Sequence, residues 1–156
     1  KMKQQFINQL NNNEMKKRTM EQKLRKQPEP VVETRKEALR RLYKENGLTE
    51  EDIYKDKRGF VIITRTGIDK IVSNRGIDLS YEPIVMEKDW VVLRCIAKMS
   101  ETKVESFGEC SQENTMGLAG KYPVAMAEKR AKSRAVLMMT GFYEQGIYGQ
   151  DEMMDS

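Results

Sequence analysis

The chain has no histidine. That absence alone excludes a Ser-His-Asp triad, a Cys-His pair and any mixed Cys/His zinc site built within one chain. Cysteine is almost as scarce: Cys95 and Cys110 stand apart, without CxxC spacing. They read as reduced thiols of a cytosolic protein, a disulfide between them being the other option. No apolar run approaches the roughly 18 residues of a membrane span. The first residues, KMKQQFINQL, lack the apolar block of a secretory signal. The glycines of GLAGK at 117–121 hint at a phosphate loop. The earlier glycine and the Ser/Thr after the lysine are both missing, so that reading fails. Excess charge is small too, with 28 Lys and Arg against 24 Asp and Glu. A net charge of +4 does not by itself name a nucleic-acid partner, so the distribution of charge must decide.

At 156 residues, 38% of them hydrophobic, the chain is one domain with extensions and a modest core. Its most organised stretch is Tyr122 to Tyr143, YPVAMAEKRAKSRAVLMMTGFY. At about 100° per residue, Val124, Ala127, Ala131, Ala135, Met138 and Phe142 share one narrow stripe. Three alanines on that stripe let the helix axis approach what it covers, most simply a β-sheet. Arg130 and Arg134 lie one turn apart on one flank, Lys129 and Lys132 on the other. Pro123 suits a first turn, and Gly141 marks a stop or a kink.

Residues 1–30 read as a charged helix or flexible arm ending in a QPEP linker, since Pro28 and Pro30 break any helix. Residues 31–58 form an accessory helical segment, with Ala38, Leu39, Leu42 and Tyr43 on its apolar side and Gly47 as its cap. From Gly59 the texture changes, and GFVIIT reads as a strand. Thr66 and Asp69 then have the spacing of a capping box, opening a helix that ends near Gly76. Ile77 to Val85 alternates as a strand that Pro83 demotes to an edge or a bulge. Trp90 to Met99 is a second strand: Val91, Leu93, Cys95, Ala97 and Met99 face the core, and Trp90, Val92, Arg94, Ile96 and Lys98 face away. A turn at Ser100-Glu101 leads to a third strand over Lys103–Gly108, and Glu109 to Lys121 is a polar loop. The fold class is therefore α+β, a βαβββα core over 59–145 with a helical N-terminal extension. Residues 146–156 are expected to be an acidic, disordered tail.

The last helix carries Ala127-Glu128, then Ala131, then Arg134-Ala135, then Gly141, preceded by FGECSQEN at 107–114. With the element order, that wording resembles the single-strand DNA annealing superfamily that contains the eukaryotic annealing mediator and the phage Erf-type annealases. The resemblance spans roughly residues 59–150. It implies a homo-oligomer, a ring or filament, in which single-stranded DNA follows a basic groove. By position the phosphate contacts are Lys129, Arg130 and Arg134 on the helix, and Arg94, Lys98 and Lys103 on the hairpin. Lys132 and Arg65 are further candidates. The family can place a basic pair later in this helix, where this chain has Val136 and Leu137. Trp90 either stacks on a base or packs in the core or an interface.

Annealing makes and breaks no covalent bond, so no catalytic residue, cofactor or metal is expected. The methionines read as adaptable filling. Partners are single-stranded DNA, further copies of the chain and a single-strand-binding protein, with no membrane. The compartment is the cytoplasm, a host's if the protein is phage-encoded. Two other functions compete: an assembly protein whose basic helix is a protein interface, and a metal-dependent nuclease using Asp78, Glu82 and Glu105.

Overall fold

Pro28 and Pro30 stand near the division of the chain into two units, Lys1–Glu33 and Thr34–Ser156. The computed structural model describes residues 1–25 and 28–153. In the first unit, helix α1 (Met2–Arg25) buries none of its residues. Lys23 and Arg25 in its last turn complement the helix dipole. Pro28 to Thr34 form neither helix nor strand, as the two prolines require. Gln27 of the expected linker lies outside the described residues.

In the second unit, α2 (Arg35–Glu45) opens on a full capping box between Thr34 and Glu37. Its Ala38 and Leu42 are buried, and Tyr43 stacks on Phe142 with ring centroids 5.9 Å apart. Gly47 follows with φ +67°, the left-handed conformation its cap position needs. After a 3₁₀ turn at Glu50–Asp52, β1 (Ile53–Lys55) pairs antiparallel with β2 (Val61–Ile63). Two expectations are thereby corrected. Residues 31–58 are not accessory, because α2 packs into the main core and β1 belongs to a sheet. Helix α3 (Arg65–Arg75) is capped by Thr64, whose hydroxyl accepts from Gly67 N at 3.1 Å, and not by a Thr66/Asp69 box. Its C-terminal cap is Gly76, in the left-handed region as expected.

Strands β3 (Asp78–Glu87), β4 (Trp90–Met99) and β5 (Thr102–Ser111) form an antiparallel meander in that order. Pro83 sits at a bulge on the edge strand β3, and the register shift there puts Val85 opposite Val92. β5 runs three residues beyond Gly108, so Glu109, Cys110 and Ser111 are strand and not loop. The alternation of β4 holds: Val91, Leu93, Cys95 and Ala97 are buried.

Helix α4 (Pro123–Thr140) lies on that buried face, against β4 and β5. Ala127, Ala131 and Ala135 are fully buried there. The approach is close because Gly108 faces them: a Cβ at Gly108 would collide with Ala127 O and Ala131 N. Ser106 Oγ donates to Ala131 O across the same seam. Val124 and Met138, expected on the buried stripe, are instead 43% and 42% exposed. Ser133, Val136, Leu137 and Thr140 are buried in their stead, because α3 and β6 cover a second side of the helix.

The acidic end is not disordered through residue 153. β6 (Tyr148–Gly149) adds parallel to β2, and Gln150–Glu152 make a 3₁₀ turn with Asp151 buried. Residues 154–156 lie outside those described. The second unit is thus α+β, with a meander followed by a helix as expected and a second small sheet, β1-β2-β6, that the sequence reading did not foresee.

Candidate nucleic-acid interface

The seam of Gly108 with Ala127 and Ala131 fixes where the arginines of α4 emerge. Among the described residues β5 pairs only with β4, so its other edge carries no strand. Arg130 reaches that edge and spans three segments. Its Nη1 donates to Glu109 O at 2.7 Å and to Asn114 Oδ1 at 2.9 Å, its Nη2 to Asn114 O at 2.7 Å, and its Nε to Asp151 O at 3.1 Å. These acceptors are neutral, so the guanidinium is well held while its charge is not cancelled by a bonded carboxylate. A cleft of about 380 Å³ opens beside it, lined by Val92, Phe107, Glu109, Asn114, Arg130, Arg134 and Glu152. Phe107 is 50% exposed.

Arg134 shares the cleft and bonds Glu152 at 3.3 Å. Glu152 also accepts from Tyr143 Oη at 3.0 Å and from Gly149 N at 2.8 Å, tying the last turn to α4. Burial works against the Arg134 charge, but the Tyr143 and Glu152 oxygens outweigh it and hold the pKa above its ordinary value. With Glu109 and Glu152 both present, the cleft is close to electrically balanced.

The remaining predicted residues are scattered. Lys132 Nζ meets Asp69 at 2.5 Å, and Arg65 Nη2 meets Asp151 at 2.6 Å, the latter hydrogen bond raising the Arg65 pKa. Lys129 is half-buried on α4, beside Lys132 in a smaller cleft near Arg65. Arg94, Lys98 and Lys103 lie on the outer face of the meander, since Lys98 stands opposite Lys103 and Arg94 opposite Phe107. That is the face away from α4. The outward placement of Arg94 and Lys98 is the one the strand alternation predicts, and it sets the hairpin cations apart from Arg130 and Arg134 within one chain. Arg94 binds Glu105 at 2.8 Å and Glu82 at 3.5 Å, and Lys103 binds Glu105 at 3.2 Å. The Arg94 hydrogen bond, then that of Lys103, draws the Glu105 carboxyl below its usual range. Trp90 is on this outer face also, 42% exposed, its Nε1 donating to Glu109 Oε1 at 2.8 Å. It is not part of the core.

Two of the three acids weighed for a nuclease, Glu82 and Glu105, thus close on one guanidinium. Among the described residues, no group of three or more Cys, Asp or Glu is arranged to hold a metal ion. Among them, too, no helix is long and apolar enough to cross a membrane.

Sequence reading missed Phe107, Asn114 and the acid pair Asp151 and Glu152. Phe107 and Asn114 bound the FGECSQEN stretch, which was read only as part of a resemblance, and the acids clustered just after the basic helix were read as a tail. It also passed over the distribution of charge. Residues 1–25 hold seven Lys and Arg against two Asp and Glu, an excess of five, whereas residues 26–156 hold 21 against 22. The whole net positive charge belongs to the segment of α1. No protein-family model, no curated protein and no solved structure matches the chain.

Proposed function

We propose that the protein binds single-stranded DNA and promotes its annealing in recombination or repair, without bond chemistry, as a cytoplasmic homo-oligomer. The observation that carries this reading is the cleft on the open edge of β5. It offers one strand what it needs: the Arg130 charge, met only by neutral acceptors, and an exposed aromatic face at Phe107. Lys and Arg give sequence-independent affinity by displacing condensed counterions, and an aromatic ring stacks on any base. Base edges stay free to find a complement. One cleft of balanced charge is a weak site, so affinity comes from repetition around an assembly and from the positive charge of α1.

The alternative, an assembly protein whose basic helix serves a protein interface, has its own support. Arg65, Lys132 and Arg134 already meet carboxylates within the chain. The outer sheet face also exposes Trp90 and Phe107 to a neighbour.

Two complementary oligonucleotides, one with a fluorophore and one with a quencher, separate the readings. On the DNA reading the protein accelerates quenching at low salt and shifts a labelled single strand in a binding assay. Phe107→Ala, at an exposed position, then weakens single-strand binding by about 1–3 kcal/mol while leaving the fold intact. No single-strand binding at low salt, with oligomers still formed, establishes the alternative instead.

A further inference from the structure

Helix α1 has 24 residues, about 36 Å at 1.5 Å per residue, and buries none of them. Helices in proteins gain most of their stability from packing an amphipathic face, and this one has no such support among its own residues. Its exposed apolar side chains are not scattered. With Leu10 taken as position a of a heptad, Phe6, Asn13 and Met20 are d positions, and Lys3, Lys17 and Leu24 are a positions. Phe6, Leu10, Met20 and Leu24 are between 50% and 67% exposed, and all four fall on that seam. Ile7, at position e, borders it. Positions b, c and f carry only polar residues apart from Met15.

The flanks specify an orientation. Positions e hold Ile7, Glu14 and Glu21, and positions g hold Met2, Gln9, Lys16 and Lys23. In a parallel pair, a g residue faces the e residue five places further along its partner, so Lys16 meets Glu21 of the second copy. An antiparallel pair would set g against g and e against e, lysine on lysine and glutamate on glutamate. Asn13 and Lys17 within the seam weaken the pair and fix its register.

We infer that α1 is a parallel, in-register pairing helix whose occupant is the α1 of a second copy of this chain. The seam supplies the attraction, the Lys16–Glu21 pairs set the direction, and Asn13 with Lys17 keeps the association weak and dependent on concentration. This assigns the subunit contact to a segment outside the α+β unit and does not rest on the DNA reading.

Cysteine scanning of the full-length chain tests it, since Cys95 and Cys110 are both buried. Under mild oxidation without DNA, Leu10→Cys and Met20→Cys give disulfide-linked homodimers several-fold faster than the outward-facing Asn8→Cys and Gln22→Cys. Homotypic linkage at position 10 is specific to the parallel arrangement, because an antiparallel pair places residue 10 against a residue about two turns away. Glu21→Lys lowers the dimer fraction in sedimentation, and adding Lys16→Glu to it restores that fraction. Lys17→Leu, which completes the seam, raises dimer affinity. Equal crosslinking at all four positions, or none at any, overturns the proposal. So does indifference of self-association to both Glu21→Lys and Lys17→Leu. Crosslinking without DNA and annealing are separate readouts, so failure of one leaves the other standing.

Discussion

Helix α1 and the unit from Thr34 onward use the same kinds of residue in opposite ways. In α1 the lysines and arginines outnumber acids seven to two over residues 1–25, and no side chain is buried. In the second unit Arg65, Arg94, Lys103, Lys132 and Arg134 each meet a carboxylate, and Arg130 is locked by backbone and amide oxygens. The charge of the first five is thus answered within the unit, whereas Arg130 is held in place with its charge uncancelled. The lesson is that a count of basic residues on a helix says little about what they can bind. What matters is whether the fold has already supplied their counter-ions.

The sharpest way to break this contrast is at the α4 seam. Gly108→Ala forces a methyl group into the backbone of Ala127 and Ala131, where no flexible side chain can yield. It is expected to destabilise the second unit by roughly 3 kcal/mol or more, read as a large drop in thermal midpoint. Asn12→Ala on the exposed face of α1 is expected to change stability by less than about 0.5 kcal/mol.

The next test asks whether the uncommitted charge is the working charge. Replacing Lys1, Arg18 and Arg25 together by Gln removes three exposed cations that lie off the pairing seam and its flanks, without touching the buried core. If α1 contributes to DNA affinity, the dependence of log binding constant on log salt flattens by about 2, since each phosphate left unneutralised on a single strand takes about 0.7 from the slope. An unchanged slope, measured by titrating a labelled single strand at several salt concentrations, places the electrostatic contact in the second unit.

The smallest expected effect concerns acid. Burial pushes the Asp52 carboxyl up, but the Thr49 backbone N–H, the Lys70 ammonium and the Thr49 hydroxyl outweigh it and hold the pKa below its ordinary value. A carboxylate depressed in the folded state contributes stability above its unfolded pKa, and that contribution is lost as pH falls through the folded value. Denaturant titrations should therefore show the second unit weakening below about pH 4, and Asp52→Asn should blunt that dependence.

Much of the fold was legible because its signals are local. The alternation of Trp90 to Met99, the turn at Ser100, the bulge at Pro83 and the alanine stripe with its Gly141 stop each follow from a few neighbouring residues. The site was less legible. Strand alternation put Arg94 and Lys98 on the face away from α4, as the structure has them, but it could not say that Arg94 and Lys103 close on Glu105 there. Phe107 and Asn114 acquire meaning only beside Arg130, 16 to 23 residues away.

What the amino-acid order determined alone was therefore the local period of the main elements, α3, β3, β4 and α4, the small-residue stripe of α4 and the charge asymmetry between α1 and the rest. Tertiary structure decided which cations keep a free charge, drew α2 and β1 into the main unit, and turned Tyr148–Glu152 from an apparent tail into β6 and the acidic partners of Arg65 and Arg134. The physical reason is one of range. Helical and strand periods are set over a few residues, but an ion pair between Arg65 and Asp151 depends on all the packing that brings the two ends of the unit together.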